Sequence, residues 1–438
     1  MNCATNKHLS FVGWLGVLAG AFFVGLIAYY FAFAGEQSEQ ARAFLMQRMA
    51  WIVFLLPAIG LTAITLLRVR FFQGTEGTGI PQTIASLQIE DEYQKENLLS
   101  PKILFGKILL TTVALFSGAS MGREGPTVQA AACIMFYLRK LVAIPHHLAQ
   151  RGLIIAGGAA GIAAAFNAPL AGIVFSIEEI GRTFDKRNLS VLIATVLVAC
   201  CVCIGLFGNY WFYGDVYIQK VSNVDWALVP LVAICMGLLG GVFSHFIVRV
   251  YPQVMRVMFR RPILVPMLIG LSIGFLGWLS SGQTLGTGFL EAQGMLMHSE
   301  QSDWYYAPLR LVATALTLLS GIPGGLFDPS LSAGAGFGQW IANMAHQFEW
   351  GAGVDQKLIM MVAMACFFAG VVQSPVTAVI IMVEMTNNVH ATLPMLAGAL
   401  IAFAISKRIC TCSIYVALAS SYFSESSGVV GRRDPRMD

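Results

Sequence analysis

The run Gly122-Arg123-Glu124-Gly125-Pro126 follows an apolar stretch at residues 103–121 and precedes a segment of small and apolar residues. Proline is favoured in the first turn of a helix, where its missing N–H costs nothing, so the run predicts the beginning of a helix. The first four N–H groups of a helix lack internal partners, and the dipole adds about half a positive charge there. Such helix ends bind anions. A carboxylate at residue 124 would be an anion tethered beside that site.

Two further runs share this design, Gly77-Thr78-Gly79-Ile80-Pro81 and Gly324-Gly325-Leu326-Phe327-Asp328-Pro329. Partial charges from several helix ends offset the dehydration of an anion and leave it free to move, whereas a buried Lys or Arg would hold it too tightly. We therefore expect the three helix beginnings to converge on one anion site within the membrane.

The serine, glycine and proline positions in and around the first run recur later in the chain. The matching pairs are Ser117 with Ser320 (320 − 117 = 203), Gly118 with Gly321, Gly122 with Gly325 and Pro126 with Pro329, followed by Pro169 with Pro375 and Glu178 with Glu384 at a shift of 206 (384 − 178 = 206). The pattern predicts an internal duplication. We divide the chain into a first membrane repeat at 1–208, a connecting segment at 209–225, a second membrane repeat at 226–423 and a short tail at 424–438.

Loop charges indicate that the two halves face opposite sides of the membrane. The loop after the first motif helix carries Arg139, Lys140 and Arg151, whereas its counterpart carries Glu349, Asp355 and Lys357. Basic loops tend to stay cytoplasmic, and this asymmetry is typical of inverted repeats. We expect a bacterial inner membrane protein with cytoplasmic termini.

Composition also predicts a membrane protein. Of 438 residues, 57% are hydrophobic and only 11% are charged, whereas a soluble domain averages about a quarter charged residues. Apolar stretches such as 9–33, 51–67 and 189–208 approach the roughly 20 residues that span a hydrocarbon core. We interpret 9–33 as a retained membrane helix, because it is too long for the apolar region of a usual signal peptide. The chain is therefore expected to be a multi-pass integral membrane protein in contact with the lipid bilayer.

Other classes of function lack support in the sequence. The net charge of +4 is too small to indicate nucleic-acid binding. No P-loop, dinucleotide fingerprint or metal-ligand spacing occurs in the sequence, and the nine cysteines are interpreted as buried free thiols. A polytopic membrane enzyme would need a catalytic His, Ser/Lys or metal constellation, which the sequence lacks. We therefore expect neither catalytic residues nor a metal or organic cofactor.

Together, the three runs resemble the three signature motifs of the CLC family of chloride channels and chloride/proton antiporters, in the family's order and at similar separations. The resemblance covers roughly residues 10 to 423 and points to the bacterial exchanger type without CBS domains. It implies an all-α integral membrane protein of the CLC fold, with two inverted-topology repeats and many tilted or broken helices. It also implies a homodimer in which each subunit has its own pathway.

The resemblance further implies roles for individual residues. Glu124 corresponds to the external gate and proton acceptor, and Glu179 to the internal glutamate that transfers protons in exchangers. Chloride-binding groups are expected at Thr78, Gly79, Ile80, Leu326, Phe327 and Tyr415, and scaffold residues at Gly122, Arg123, Gly125, Pro126, Gly325 and Pro329. The residues alone leave simpler readings open, namely a cap or an ion pair with Arg123 for Glu124, a solvated helix end for Glu179, a turn hydroxyl for Thr78 and an interfacial tyrosine for Tyr415.

Two positions depart from the family pattern. Thr78 stands where the family usually has serine or, in nitrate-preferring members, proline; it keeps a hydroxyl donor but leaves the choice among anions open. Asp328 stands where a small or apolar residue is common, and a carboxylate at the ion would oppose chloride. Because Asp before Pro is a good helix cap, we expect its carboxylate to cap the helix and turn away from the ion.

The pair Glu178-Glu179 interrupts an apolar run at residues 168–180. Charged groups inside a membrane segment are costly and indicate function. Glu178 has a repeat partner in Glu384, so these two are expected to pack or cap helices, whereas Glu179 has Met385 opposite it.

These features predict secondary active exchange, in which chloride moves one way and protons the other. Glu124 would compete with chloride for the helix N-terminal site, and Glu179 would supply protons from the cytoplasm. A passive chloride-selective channel of the same fold is the alternative. Glu179 argues against it, because channel members of the family usually lack a carboxylate there.

Overall fold

The structure, a computed structural model, describes residues 11–141, 146–182, 188–208, 210–218 and 221–426. Its regular elements within these ranges are helices. The first half contains α1 (Phe11–Arg48), α2 (Ile52–Phe71), α3 (Ile80–Ser86), α4 (Glu92–Leu98), α5 (Pro101–Phe116), α6 (Glu124–Leu141), α7 (His146–Phe166), α8 (Pro169–Phe175) with a π-helical turn (Ser176–Ile180), and α9 (Leu189–Phe207). The second half contains α10 (Asn223–Arg260), α11 (Leu264–Leu279), α12 (Phe289–Met297), α13 (Tyr306–Leu319), α14 (Phe327–Ala345), a 3-10 helix (Glu349–Gly353), α15 (Gln356–Val372), α16 (Pro375–Thr386), α17 (Thr392–Ile409) and α18 (Ile414–Ser426).

By length and composition, six helical segments of the described chain can cross a membrane: Phe11–Arg48, Ile52–Phe71, Glu92–Phe116, Leu189–Phe207, Asn223–Arg260 and Thr392–Ile409. Several of them present large apolar side chains on the outer surface, including Phe23 of α1, Leu55 of α2 and Leu400 of α17. This surface suits lipid rather than water. The predicted multi-pass integral membrane protein is confirmed, and the stretch at 9–33 is helical from Phe11 onward.

The order of helices repeats between the two halves. The long helices α1 and α10 contain 38 residues each. Helix α2 follows α1 and helix α11 follows α10, and α2 packs against α11. Further along, α6 to α9 correspond in order to α14 to α17. The predicted all-α architecture with two repeated halves is confirmed. The domain boundaries stay a prediction, and α10 begins at Asn223, inside the predicted connecting segment 209–225.

Caps and prolines set where the helices begin. The hydroxyl of Ser222 accepts a hydrogen bond from the Asp225 N–H at 3.0 Å, and the Asp225 carboxylate accepts one from the Ser222 N–H at 2.8 Å, which fixes the start of α10. Ser100 caps α5 in a similar way through its hydroxyl. Pro169 and Pro375 open the short helices α8 and α16, as expected for proline in a first turn.

Small residues let the central helices approach closely. A Cβ on Gly157 of α7 would lie 2.7 Å from the Ala131 carbonyl oxygen of α6, and a Cβ on Gly334 of α14 would lie 2.7 Å from Met364 Cα of α15. Both contacts join the helix that begins at a signature run to the helix that follows it. Close packing through small residues is a typical means of helix association in membranes. It fixes the first turns of α6 and α14 in the interior.

Candidate functional site

The three glycine-rich runs meet through backbone hydrogen bonds. Gly122 and Gly325 form an antiparallel bridge, with the Gly122 N–H donating to the Gly325 oxygen at 2.9 Å and the reverse bond at 2.6 Å. The Gly77 N–H donates to the Gly321 oxygen at 3.3 Å, and the Gly324 N–H donates to the Gly77 oxygen at 3.2 Å. The beginnings of α3, α6 and α14 are therefore neighbours, as the shared design of the runs predicted.

Glycine is required where the first two runs touch. Gly79 precedes α3 in the left-handed region, with φ of 91°, and a Cβ there would lie 2.9 Å from the Gly125 oxygen. A Cβ on Gly125 would in turn lie 2.5 Å from the Thr78 oxygen. Neither position has room for a side chain. The backbones of Thr78 and Gly125 can approach this closely only because both glycines lack one.

A buried lysine that the sequence analysis missed holds the first run in place. Lys107 of α5 has no exposed surface, and its ammonium donates to the Thr75 oxygen at 2.9 Å and the Gly77 oxygen at 2.7 Å. It satisfies backbone oxygens rather than facing the point where the runs meet. Lysine occurs twice in this apolar helix, at residues 102 and 107, and the local sequence does not distinguish Lys107 for this role.

Glu124 is the first residue of α6, and its side chain is 1% exposed. Among the described residues, neither of its carboxylate oxygens has a hydrogen-bond partner. The carboxylate folds back over Gly122, since a Cβ there would overlap with Glu124 Oε2, and the same oxygen lies 2.9 Å from a Cβ built on Gly325. The Glu124 carboxylate thus lies on the bridge between the two runs.

Arg123 does not pair with Glu124. Its guanidinium donates to the Ala32 oxygen at 2.8 Å and approaches the Glu36 carboxylate at 3.6 Å, both on α1. The simpler reading of Glu124 as half of a local ion pair is therefore wrong. Arg123 instead ties the second run to the long first helix.

Two hydroxyl groups expected at the chloride site are buried. Thr78 Oγ1 and the Tyr415 hydroxyl each have no hydrogen-bond partner within the described parts of the chain, and Tyr415 is fully buried rather than interfacial. The Tyr415 ring stacks on Phe327, with ring centroids 6.4 Å apart and planes at 16°. Buried polar groups are nearly always hydrogen-bonded, so both hydroxyls are available as donors to a bound anion. Phe327 begins α14, where backbone N–H groups lack helical partners.

A cleft borders the first run. Its walls include Glu76, Thr78, Tyr251, Leu318 and Tyr422. Thr78 therefore lines this cleft, whereas Glu124 is not among the residues of its walls.

Asp328 does not cap α14, which corrects the sequence prediction. The cap position is Leu326, where no side chain makes a capping bond, and α14 already includes Asp328 in its first turn. The Asp328 side chain is 1% exposed, and its strongest charged neighbour is Glu124. The helix begins one residue before Asp328, so this residue lies within the first turn and not at the cap position.

Glu179 lies in the π-helical turn and is buried, which excludes a solvated helix end. Its carboxylate accepts hydrogen bonds from the Ser413 hydroxyl, from the Ser374 hydroxyl at 3.2 Å and from Arg182 Nη2 at 3.1 Å. Ser413 directly precedes the helix that carries Tyr415, and Tyr415 has both Glu179 and Glu124 as charged neighbours. Tyr415 therefore connects the surroundings of the two glutamates.

Glu178 has a different task from its neighbour. Its carboxylate accepts hydrogen bonds from the Val376 N–H at 3.2 Å and the Thr377 N–H at 2.8 Å, at the start of α16. Glu384, at the end of α16, does the same for the Leu170 N–H at 3.0 Å and the Ala171 N–H at 2.7 Å in α8. The predicted capping role of this repeat-related pair is confirmed, and it leaves Glu179 as the carboxylate that packing does not require.

Comparison with known proteins agrees with this arrangement. The sequence profile of the voltage gated chloride channel family matches residues 59–407. The H(+)/Cl(-) exchange transporter ClcA of Vibrio cholerae is 28% identical over 345 residues, which cover 76% of this chain and 71% of that protein. The ClcA protein of Yersinia pestis is 28% identical over 344 residues, with 76% and 70% covered.

Solved structures share the fold. A slow cyanobacterial Cl-/H+ antiporter superposes with a TM-score of 0.84 at 22% identity, covering 96% of this chain and all of the other (100%). A CLC-type fluoride/proton antiporter gives a TM-score of 0.76 at 21% identity, with 94% and 99% covered. The family profile spans well over half of the described helices, from α2 to α17. The chain therefore belongs to the voltage gated chloride channel family, the CLC family that its three motifs resemble.

Proposed function

We propose that this protein exchanges chloride for protons across a membrane. The observation that carries the proposal is the position of Glu124, a buried carboxylate without a hydrogen-bond partner among the described residues, at the point where two helix beginnings bridge. The relatives named H(+)/Cl(-) exchange transporters and the antiporters among the solved structures support it.

Chloride would bind where the three runs meet. The N–H groups at the start of α14, with the hydroxyls of Thr78 and Tyr415, are donors of partial charge. Such donors stabilise a dehydrated anion without a full cation. Chloride can then leave as readily as it enters.

Glu124 would act as the outer gate. As an anion it occupies the site that chloride needs, and when protonated or displaced it leaves the site open. The ionised Glu124 carboxylate and chloride compete for one position. Uptake of a proton by Glu124 is therefore coupled to movement of chloride in the opposite direction.

Glu179 would receive protons from the inner side. Its three hydrogen bonds hold the carboxylate near Tyr415, and Glu178, rather than Glu179, caps α16. A passive channel would have no use for a second buried carboxylate at this place. The exchange reading is therefore preferred to the channel reading.

The assembly and location belong to the same proposal. We expect a homodimer with one pathway in each subunit, in a bacterial inner membrane with both termini in the cytoplasm and with no cofactor. Apolar side chains on the outer faces of α8, α9 and α17, such as Leu170, Leu197 and Leu393, suit either lipid or a second subunit.

Proteoliposomes test the function directly. Vesicles loaded with chloride are diluted into low chloride, with potassium and valinomycin to clamp the voltage, while external chloride and pH are recorded. Exchange predicts that chloride efflux drives protons into the vesicles against their gradient, so external pH rises until a protonophore collapses the difference. Chloride efflux without proton movement would overturn the proposal in favour of a channel.

A further inference from the structure

Asp328 gives the outer gate a second carboxyl group. We propose that Asp328 is a protonated positioning residue that donates a hydrogen bond to the ionised carboxylate of Glu124 and so holds the gate in the anion site. This rests on the function proposed above, in which Glu124 competes with chloride as an anion.

The backbone brings the two carboxyl groups together. The Gly122–Gly325 bridge joins the segments that lead into α6 and α14, whose first turns hold the two acidic residues. The Glu124 side chain folds back over this bridge towards the α14 segment, so that its Oε2 lies 2.9 Å from a Cβ built on Gly325. Each side chain is 1% exposed. Among the charged groups that act on Asp328, Glu124 has the largest effect.

No ion pair among the described residues includes Glu124 or Asp328. In these parts of the chain, both oxygens of Glu124 and Oδ1 of Asp328 lack a hydrogen-bond partner. Arg123 acts on Asp328 less strongly than Glu124 does, and its guanidinium donates to the Ala32 oxygen at 2.8 Å rather than to either carboxyl group. Other titratable groups lie around the pair. They are Glu39 of α1, Tyr415 of α18 and Tyr213, and Tyr213 in turn has Tyr306 of α13 as a neighbour.

Charge repulsion then determines where a proton lies. Two carboxylates side by side in a dry interior repel each other strongly, so one of them holds a proton. In the closed gate Glu124 is the ionised member, because only an anion competes with chloride at the helix ends. The proton therefore resides on Asp328.

A neutral Asp328 does not oppose chloride, whereas an ionised carboxylate beside the anion site would. A protonated carboxyl is a hydrogen-bond donor, and its bond to a carboxylate is among the stronger ones in proteins. It stabilises the closed gate without placing a second negative charge beside chloride. When Glu124 takes up a proton or moves away, Asp328 stays uncharged and does not repel the incoming ion.

Two substitutions distinguish a protonated, neutral Asp328 from an ionised Asp328. Asp328→Asn keeps a donor in nearly the same shape, whereas Asp328→Ala removes it. Chloride efflux and proton coupling are measured in proteoliposomes over a range of pH, with the exposed Asp303→Asn as a control for the same chemical change outside the gate. We expect Asp328→Asn to keep the wild-type pH profile and Asp328→Ala to raise efflux at alkaline pH roughly tenfold, the effect of one lost hydrogen bond to a charged group.

Opposite results would overturn the proposal. If Asp328 is ionised, both variants remove a repelling charge, and both move the pH profile towards acid. If Asp328 only fills space, both variants change total efflux and leave the pH profile in place. Should Asp328→Ala fail to fold, the profile of Asp328→Asn alone still separates a neutral donor from an ionised carboxylate.

Infrared spectroscopy provides a readout that does not depend on transport. With Glu124 intact and near neutral pH, the carbonyl stretching band of a protonated carboxyl should disappear with Asp328→Asn; no loss of such a band contradicts the proposal. Failure of the proposed function has a different signature. Wild-type chloride flux without proton coupling rejects exchange, while the comparison of the two Asp328 variants still reports on the gate through chloride alone.

Discussion

Gly122 and Gly325 exchange two backbone hydrogen bonds, of 2.9 and 2.6 Å, although 203 residues (325 − 122 = 203) separate them in the chain. They are equivalent positions of the duplicated sequence, so the internal symmetry of the fold passes through this bridge. An antiparallel contact between equivalent residues is the local form of a two-fold relation. The two halves therefore share a single site at their junction, to which each contributes one helix beginning.

Replacing Gly122 with alanine is expected to displace the gate. The new Cβ overlaps with Glu124 Oε2 and approaches Glu124 Cδ to 2.8 Å, so either the carboxylate moves or the bridge opens. We expect a stability loss of about 1–3 kcal/mol, typical of overpacking, and a weaker dependence of chloride efflux on pH. Thermal unfolding in detergent and vesicle efflux measure the two effects.

Gly205→Ala is the matched control, because the added methyl group meets no atom of the described residues within 4 Å. It should be neutral or slightly stabilising, since alanine favours a helix interior over glycine. Equal behaviour of the two variants would show that Gly122 has no special relation to Glu124.

Glu124→Gln is expected to separate chloride movement from pH. The neutral amide neither competes as an anion nor takes up a proton, so chloride efflux should vary little with pH and proton coupling should vanish. Efflux with simultaneous pH recording measures both. Glu36→Gln provides the control, because Glu36 is half exposed and only approaches Arg123 at 3.6 Å; such surface pairs contribute about 0–1 kcal/mol. Coupling that survives Glu124→Gln would contradict the gate assignment.

Adjacent glutamates should give opposite phenotypes. Glu179→Gln is expected to retain chloride flux and lose proton movement, because the amide cannot carry a proton. Glu178→Gln is expected to keep coupling but lose about 0.5–2 kcal/mol, the usual value of a helix cap, because it weakens the bonds to the Val376 and Thr377 N–H groups. Glu384→Gln should resemble Glu178→Gln, since it caps α8 in the same way. A coupling defect in Glu178→Gln together with normal coupling in Glu179→Gln would reverse the assignment.

The sequence predicted those parts of the site that rest on local chemistry. A glycine-proline run indicates the beginning of a helix, so the sequence predicts the three runs as helix beginnings. Recurring glycine, proline and glutamate positions indicate a duplication, so the sequence also predicts that Glu178 and Glu384 form an equivalent pair. Glu179 is distinguished by its resemblance to the internal glutamate of the family's exchangers, and by Met385 at the equivalent position of the second repeat.

What the sequence did not predict depends on partners far along the chain. Asp328 beside a proline has the local pattern of a cap, and its neighbour Glu124 is placed there by a bridge that no local pattern reports. The bonds of Ser374 and Ser413 to Glu179 likewise join residues about two hundred positions apart. Serines are common in apolar segments, so their spacing carries no signal.

Lys107→Met is expected to weaken the first run. The lysine ammonium satisfies the Thr75 and Gly77 oxygens at 2.9 and 2.7 Å inside the protein, and methionine keeps the length of the side chain but donates nothing. Each buried oxygen left without a partner costs about 1–3 kcal/mol, so the melting temperature should fall. Because Gly77 directly precedes Thr78, chloride binding measured by calorimetry should weaken as well.

Lys102→Met, on the same helix but exposed, controls for the loss of a positive charge. If chloride bound through the long-range charge of Lys107, both variants would weaken binding, and the lysine nearer the site would have the larger effect. Raising the salt concentration would then reduce the difference in chloride affinity between each variant and the wild type. If Lys107 acts by holding the loop, only its own variant loses stability and affinity, and salt leaves the difference unchanged. Hydrogen bonds of 2.9, 3.4 and 2.7 Å to the Thr75, Glu76 and Gly77 oxygens favour the second outcome, because together they use the three donors of the ammonium group.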